Sequence, residues 1–203
     1  MPAADAIASL QRQFPGKIGQ GKEFRDEWTV EVDREIVRGV AAHLKNELGY
    51  NFLVDISSVD NFGDEPRYEV IYEFSGLADP MKRLQLRVKV RVSEEEPSLD
   101  SIVPVFQGAD WHEREIFDMM GLRFNDHPDL RRILMWEGYP YFPLRKDFPL
   151  EGKRSDMPGE GFSRPAPLEG GPFVATPIPH PPKQGDAPAT LLEPRAKPAE
   201  RGQ

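Results

Sequence analysis

The stretch LQLRVKVRV, residues 84–92, alternates without a break. Leu84, Leu86, Val88, Val90 and Val92 share one side of an extended chain, and Gln85, Arg87, Lys89 and Arg91 share the other. A period of two, with bulky apolar residues on one side only, marks a strand with one face on a core and one in water. Upstream, RYEVIYEF (residues 67–74) places Tyr68, Val70, Tyr72 and Phe74 on one side in the same way. NFLVDIS (residues 51–57) is mostly apolar and reads as a central strand, and WTVEV (residues 28–32) alternates as a further one. The links NFGDEP and SGLADPMK carry the glycine, proline and aspartate of hairpin loops.

Helices fit between and after these strands. Residues 6–13 form a short helix ended by Phe14-Pro15-Gly16. Asp33 caps a helix that runs to Leu48, with Gly49 at its C-terminal cap and Ile36, Val37, Val40, Ala41, Leu44 and Leu48 on one apolar face. A helical turn is expected over residues 98–103. Another helix starts at Asp110, paired with Glu113 as a capping box, and runs through WHEREIFDMM to Gly121. Meandering strands with helices outside them give an α+β fold: a two-layer domain with a mixed β-sheet and flanking helices over residues 1–106. Residues 107–150 follow as a helix and binding segment. Residues 151–203 hold 11 of the 21 prolines and show no periodicity, so they form an extended irregular tail without a core of its own. Phe162, Phe173, Val174 and Ile178 are its anchors for a partner surface.

Composition removes several functions. The chain has 203 residues and no cysteine, which excludes disulfides, thiolate-held zinc, cysteine-ligated iron–sulfur clusters and a cysteine nucleophile. A net charge of -8 argues against general binding to nucleic acid or to an acidic membrane surface. Residues 1–110 carry 20 acids against 13 bases, so the acidity belongs to the first part. No apolar run reaches the roughly 20 residues that span a bilayer. The first residues, MPAADAIASLQRQF, lack a basic start and an apolar core, so no secretory signal is expected there.

The candidate chemistry is sparse. HERE, residues 112–115, invites comparison with a zinc hydrolase helix, but the second ligand position is Ile116, and histidines 43, 112, 127 and 180 are scattered. A metal-dependent hydrolase is therefore the weakest functional class. His43 belongs at the surface or boundary of its helix. Glu113 and Glu115, two places apart on a helix, point to different faces and do not build a shared acid–base site. The crowding of Glu113, Arg114, Glu115 and Asp118 has a plain alternative, a solvated helical face. HPDLRRILMWEGYPYFPLRKDFPLEG, residues 127–152, mixes arginines, flat aromatics and rigid prolines. Such a mixture suits a protein–protein contact, or a loop packed on its own domain.

EREIFDMMGLRFNDHPDLRRIL (residues 113–134) followed by PLRKDFPL (residues 143–150) resembles the signature of the 30-kDa, or C-type, subunit family of NADH–quinone oxidoreductase, respiratory complex I. The resemblance rests on Glu113, Arg114, Glu115 and Asp118, then His127, Pro128, Asp129, Arg131 and Arg132, then Arg145, Lys146, Asp147 and Phe148. Met120 stands where an aromatic is frequent in the family, and Tyr141-Phe142 replaces a Gly-His pair found in several members. The resemblance implies a peripheral-arm subunit of a proton-translocating NADH–quinone oxidoreductase on the cytoplasmic face of the bacterial membrane. It implies docking on the D-type subunit that helps form the quinone site, with the B-type and I-type subunits as neighbours. It also implies no cofactor here, FMN and iron–sulfur clusters being held by partner subunits, and no catalytic residue of its own. The signature residues then serve as ion pairs and hydrogen bonds within and between subunits. Equivalent subunits of membrane-bound hydrogenases, or of quinone oxidoreductases with another electron donor, share the signature.

Overall fold

The computed structural model describes residues 2–77, 84–150 and 152–153. Strand β1 is Lys22–Phe24, β2 Glu27–Val32, β3 Phe52–Asp60, β4 Tyr68–Gly76 and β5 Leu84–Val92. These five form one sheet in the order β1-β2-β5-β4-β3. β5 pairs antiparallel with β4, from Tyr68 opposite Val92 to Gly76 opposite Leu84, and most of the link SGLADPMK, residues 78–82, lies outside the described residues. On its other side β5 runs parallel to β2, with Val30 opposite Val88 and Val32 opposite Val90. The sheet is thus mixed. Because partners directly opposite share a face, Val30, Val32, Leu86, Val88, Val90, Val92, Tyr68, Val70, Tyr72 and Phe74 make one continuous apolar surface, and all are buried.

Helices α1 (Ala3–Gln13), α2 (Val37–Asn46) and α3 (Ala109–Met120) complete the same core through Ala6, Ile7 and Leu10, through Val37, Val40, Ala41 and Leu44, and through Ile116, Met119 and Met120. The opposite face of the sheet is charged. There Arg87 meets Glu73 at 2.7 Å, and Glu69 meets Lys89 at 2.8 Å and Arg91 at 3.2 Å. The fold is therefore an α+β domain with a mixed sheet and flanking helices, as the alternation of β5 implies. His43 lies at a boundary, half-buried, with its Nε2 3.2 Å from the Ser9 hydroxyl.

Several local expectations are corrected. NFLVDIS is an edge strand and not a central one. Its apolar residues do not all face inward: Ile56 is buried, while Phe52 and Val54 are exposed around a register shift between Leu53 and Asp55. In a one-sided sheet the centre needs alternation, not a continuous apolar run, which belongs to sheets covered on both faces. Residues 98–103 contain no helical turn. Ser98–Asp100 is strand β6, parallel to β7 at Arg123–Asn125, a pairing that local propensity does not announce. The helix after Asp33 opens as a 3₁₀ turn, Arg34–Ile36, with the Asp33 carboxylate accepting from Glu35 N–H at 3.0 Å, and α2 ends at Asn46. The capping box at Asp110 does not form. Gly108 is the N-cap of α3, and Glu113 accepts from Ile102 N–H instead of turning back. The short strands β1 and β7 carry too few residues to show a period. The Leu84 side chain and the tail anchors Phe162, Phe173, Val174 and Ile178 lie outside the described residues.

The one-sidedness of the sheet sets an expected contrast. Leu86→Ala removes a buried side chain at the centre and should cost about 2–5 kcal/mol. Its exposed neighbour Gln85→Ala should stay within about 0.5 kcal/mol. Urea unfolding of both variants checks this, and equal losses would mean that both faces are covered.

Candidate functional site

The signature residues of α3 distribute over its faces by the helical period. Glu113, Ile116 and Met120 turn to the core and are buried. Asp110, Arg114 and Asp118, spaced four apart, form a stripe beside the chain that follows β7. Trp111 and Glu115 face solvent. His112 turns to β3, where its Nδ1 lies 3.2 Å from Asp55. A solvated helical face thus describes Glu115 but not Glu113, Arg114 or Asp118.

Asp118 is the centre of the arrangement. Its side chain has no exposed surface. Oδ2 accepts the backbone N–H groups of Ile133, Leu134 and Met135 at 3.0, 2.6 and 2.9 Å. Oδ1 accepts from Arg132 Nη1 at 2.7 Å. Burial alone would raise this carboxyl, but the amides of Met135, Leu134 and Ile133 and the Arg132 guanidinium outweigh it and hold the acid below its ordinary range. Arg132 also donates to the carbonyls of Tyr139 at 2.7 Å and Tyr141 at 3.3 Å, so one guanidinium ties α3 to the aromatic part of the segment.

The end of α3 is completed by the same segment. A helix leaves its last four carbonyls without intrahelical donors. Here Phe117 O receives Gly121 N–H, Asp118 O receives Arg132 at 2.9 Å, Met119 O receives Leu144 N–H at 3.1 Å and Met120 O receives Arg145 Nε at 2.6 Å. Gly121 turns the chain with φ +76, and a Cβ there would meet Arg145 at 2.6 Å and Phe142 at 2.7 Å. Arg145 lies between the Phe142 and Tyr68 rings, 4.4 and 5.4 Å from their centroids.

A second mooring lies at the far end of the segment. Arg67, 2% exposed, is held by both oxygens of Asp60 at 2.8 Å, by Glu94 at 2.5 Å and by Asp147 at 3.2 Å. Asp60 also accepts Lys146 N–H at 2.8 Å. The Arg67 hydrogen bonds, against the cost of burial, keep the Asp60 carboxyl below its usual range. Asp60, Arg67 and Glu94 are not among the signature residues. Asp60 could have been found, since it shares the inward parity of Ile56 on β3, and a charge on an inward position demands a partner.

The remaining signature residues divide in two. Arg114 is buried; its Nη1 lies 3.6 Å from Asp110, its Nε donates to Arg131 O at 3.4 Å and it stacks over Trp111. The His127 ring is buried against Asp110 and Glu113. By contrast Pro128, Asp129, Arg131 and Lys146 are exposed, with Asp129 and Arg131 paired at 2.9 Å, and Phe148 is half-buried beside Tyr141. Leu134, Leu144 and Leu150 are exposed on the same segment. Among the described residues no group of three or more His, Cys, Asp or Glu side chains could hold a metal, and no helix is long and apolar enough to cross a membrane.

The fold and this segment define a small α+β domain whose irregular carboxy-terminal part is fastened to it by buried ionic contacts. The profile of the family described as respiratory-chain NADH dehydrogenase, 30 Kd subunit, matches residues 30–154, and the chain belongs to that family, the 30-kDa subunits of complex I. It is 42% identical over 72% of its length to the C-type subunit of NADH-quinone oxidoreductase from Geotalea uraniireducens, covering 88% of that protein. It is 43% identical over 72% of its length to the corresponding subunit from Geobacter metallireducens, covering 90% of it. Among solved structures, a trypsin-resistant fragment of Nqo5 superposes with a TM-score of 0.53 at 29% identity, covering 62% of this chain and 98% of the fragment. A chain of an archaeal membrane-bound sulfane sulfur reductase shares the fold, with a TM-score of 0.61 at 18% identity over 72% of this chain and 85% of that one.

Asp118→Ala leaves Arg132 without its carboxylate and three amides without an acceptor. Hydrogen exchange at Ile133, Leu134 and Met135 should accelerate by more than tenfold while the β4–β5 amides keep their protection, because removing one partner of a buried ion pair costs about 3–5 kcal/mol. The pH dependence follows from the sign of the shifts. Asp118 and Asp60 ionise in the folded chain below their ordinary 3.8, so their stabilisation is complete above that value and is lost as pH falls through the lowered ones. Exchange at Ile133, Leu134, Met135 and Lys146, followed during acidification, should accelerate only below about pH 3.8. Loss of protection at a higher pH would contradict the assignment.

Proposed function

We propose that the chain is a peripheral-arm subunit of proton-translocating NADH–quinone oxidoreductase, carrying no cofactor and no catalytic side chain. It supports electron transfer from NADH to quinone by docking on the D-type, quinone-site subunit at the cytoplasmic face of the membrane, with the B-type and I-type subunits as neighbours. FMN and the iron–sulfur clusters belong to partner subunits. The observation that carries this reading is the two-sidedness of residues 127–150. Asp118, Asp60 and the last carbonyls of α3 hold the segment from below. Leu134, Leu144, Leu150, Arg131 and Lys146 are left outward. A segment without regular structure that is nevertheless fixed can present a preformed surface, which lowers the entropy cost of binding.

In this reading the signature residues have two tasks. Glu113, Arg114, Asp118, His127, Arg132, Arg145 and Asp147 fix the shape of the segment. Glu115, Pro128, Asp129, Arg131, Lys146 and Phe148 lie where the neighbouring protein meets it. Residues 1–106 supply the platform and residues 107–150 the contact; the tail that follows, residues 151–203, lies outside the described residues apart from 152–153.

The test is capture of the tagged chain from membranes, with identification of what comes along. The D-type, quinone-site subunit and an NADH-binding flavoprotein are expected. Hydrogenase subunits in their place would overturn the NADH assignment. Arg114→Glu sets an acid beside Asp110 in a buried position, at a cost of about 3–5 kcal/mol. It should lower the amount of assembled complex while the surviving complex keeps its turnover per molecule. Normal amounts of complex in Arg114→Glu membranes would remove the segment's shape from the docking mechanism.

A further inference from the structure

The contacts that fasten the segment leave one buried acid incomplete. Glu113 has no exposed surface. Its Oε1 accepts Ile102 N–H at 2.8 Å, while its Oε2 is buried without a hydrogen-bond partner. His127 Nε2 lies 3.9 Å from Oε2, and the imidazole is likewise fully buried. The same Nε2 is 3.4 Å from both the backbone oxygen and Oδ1 of Asp110.

The other ring nitrogen settles the proton's position. Asp129 N–H points at His127 Nδ1 over 3.0 Å. A backbone N–H can only donate, so Nδ1 accepts and carries no hydrogen. The ring is therefore neutral, with its single hydrogen on Nε2. That one N–H faces two acids a single helical turn apart on α3, Asp110 and Glu113.

We propose that Glu113 and His127 form a proton-operated switch at the start of the carboxy-terminal segment. With Glu113 protonated, His127 Nε2–H donates to Asp110. When Glu113 releases its proton to water, the anionic Oε2 draws the Nε2–H away from Asp110. The ring turns, and Nδ1 moves relative to the Asp129 N–H that it holds. The bend through Pro128 thus changes with the charge of one buried carboxyl. This goes beyond the docking reading and does not depend on which partner the segment meets.

The groups around Glu113 set the balance between the two states. Burial dominates and disfavours the anion; the Ser101 hydroxyl and Ile102 N–H, on the turn after β6, favour it, as does Arg38 on α2, and Asp110 on α3 disfavours it. The result is a carboxyl pushed up to about 7. Arg38 is committed to Ser101 O at 2.8 Å and Asp126 at 3.1 Å, and Arg114 to Asp110 at 3.6 Å, so neither closes on Oε2. Tyr72 on β4 has a buried, unpartnered hydroxyl whose ionisation is opposed by burial, by Glu113 and by Asp100, so it stays neutral through this range.

Ring-nitrogen NMR on the full chain, labelled in its histidines and titrated over about pH 5 to 8, tests the switch. The His127 hydrogen should be seen on Nε2, as the Asp129 N–H on Nδ1 requires. Its Nε2 resonance and the Asp129 amide should move together, with one midpoint near 7. In Glu113→Gln both should stay fixed at the positions seen for the protonated wild type. The wild-type arm alone can overturn the proposal, if His127 gains a second proton on Nδ1 or if neither resonance moves. Persistence of the same transition in Glu113→Gln would overturn it as well.

Discussion

The last turn of α3 is a set of unmet hydrogen-bond acceptors, and the rest of the molecule's shape follows from how they are met. A helix ending in the interior cannot turn its carbonyls to water. Gly121 takes one, and the other three receive Arg132, Leu144 N–H and Arg145 from the chain that follows. That chain has the complementary deficit, since without helix or sheet its own amides need acceptors. Asp118 supplies one for Ile133, Leu134 and Met135, and Asp60 one for Lys146. Helix and segment therefore satisfy each other's backbone groups.

This mutual satisfaction explains the placement of charge. Asp60, Arg67, Glu113, Arg114 and Asp118 are buried although ions are costly to desolvate. Each except Glu113 finds an opposite charge or several N–H donors. Surface pairs such as Arg87–Glu73 across the solvent face of the sheet are a different matter, worth at most about 1 kcal/mol each. The sheet is held by its apolar side, and the segment by its ions.

Much of the platform was legible in the sequence because burial there is periodic. The alternation of β4, and of β5 from Leu86 onward, is buried on one side as read, and so are Val37, Val40, Ala41 and Leu44 of α2, while Ile36 falls in the preceding 3₁₀ turn and Leu48 beyond the helix. NFLVDIS misled because apolar content does not distinguish a central strand from an edge strand with a bulge. β6 and β7 were invisible because three-residue strands owe their existence to partners far along the chain. The signature residues stood out through a family resemblance, and the helical period would assign them faces but not functions. That Asp118 reads backbone amides 15 to 17 residues away has no signature in local pattern at all.

The grip on residues 133–135 and 146 is made entirely on main-chain N–H groups. Every residue except proline offers such a donor, whatever its side chain. At these four positions the anchor is thus blind to the side chain, whereas Arg132, Arg145 and Asp147 anchor through theirs. Leu134 or Lys146 can be exchanged without loss of the anchor, and the ribbon keeps its path. Variation should then concentrate on such outward residues, with Asp118 and Asp60 held constant, so that the exposed face drifts over a fixed backbone.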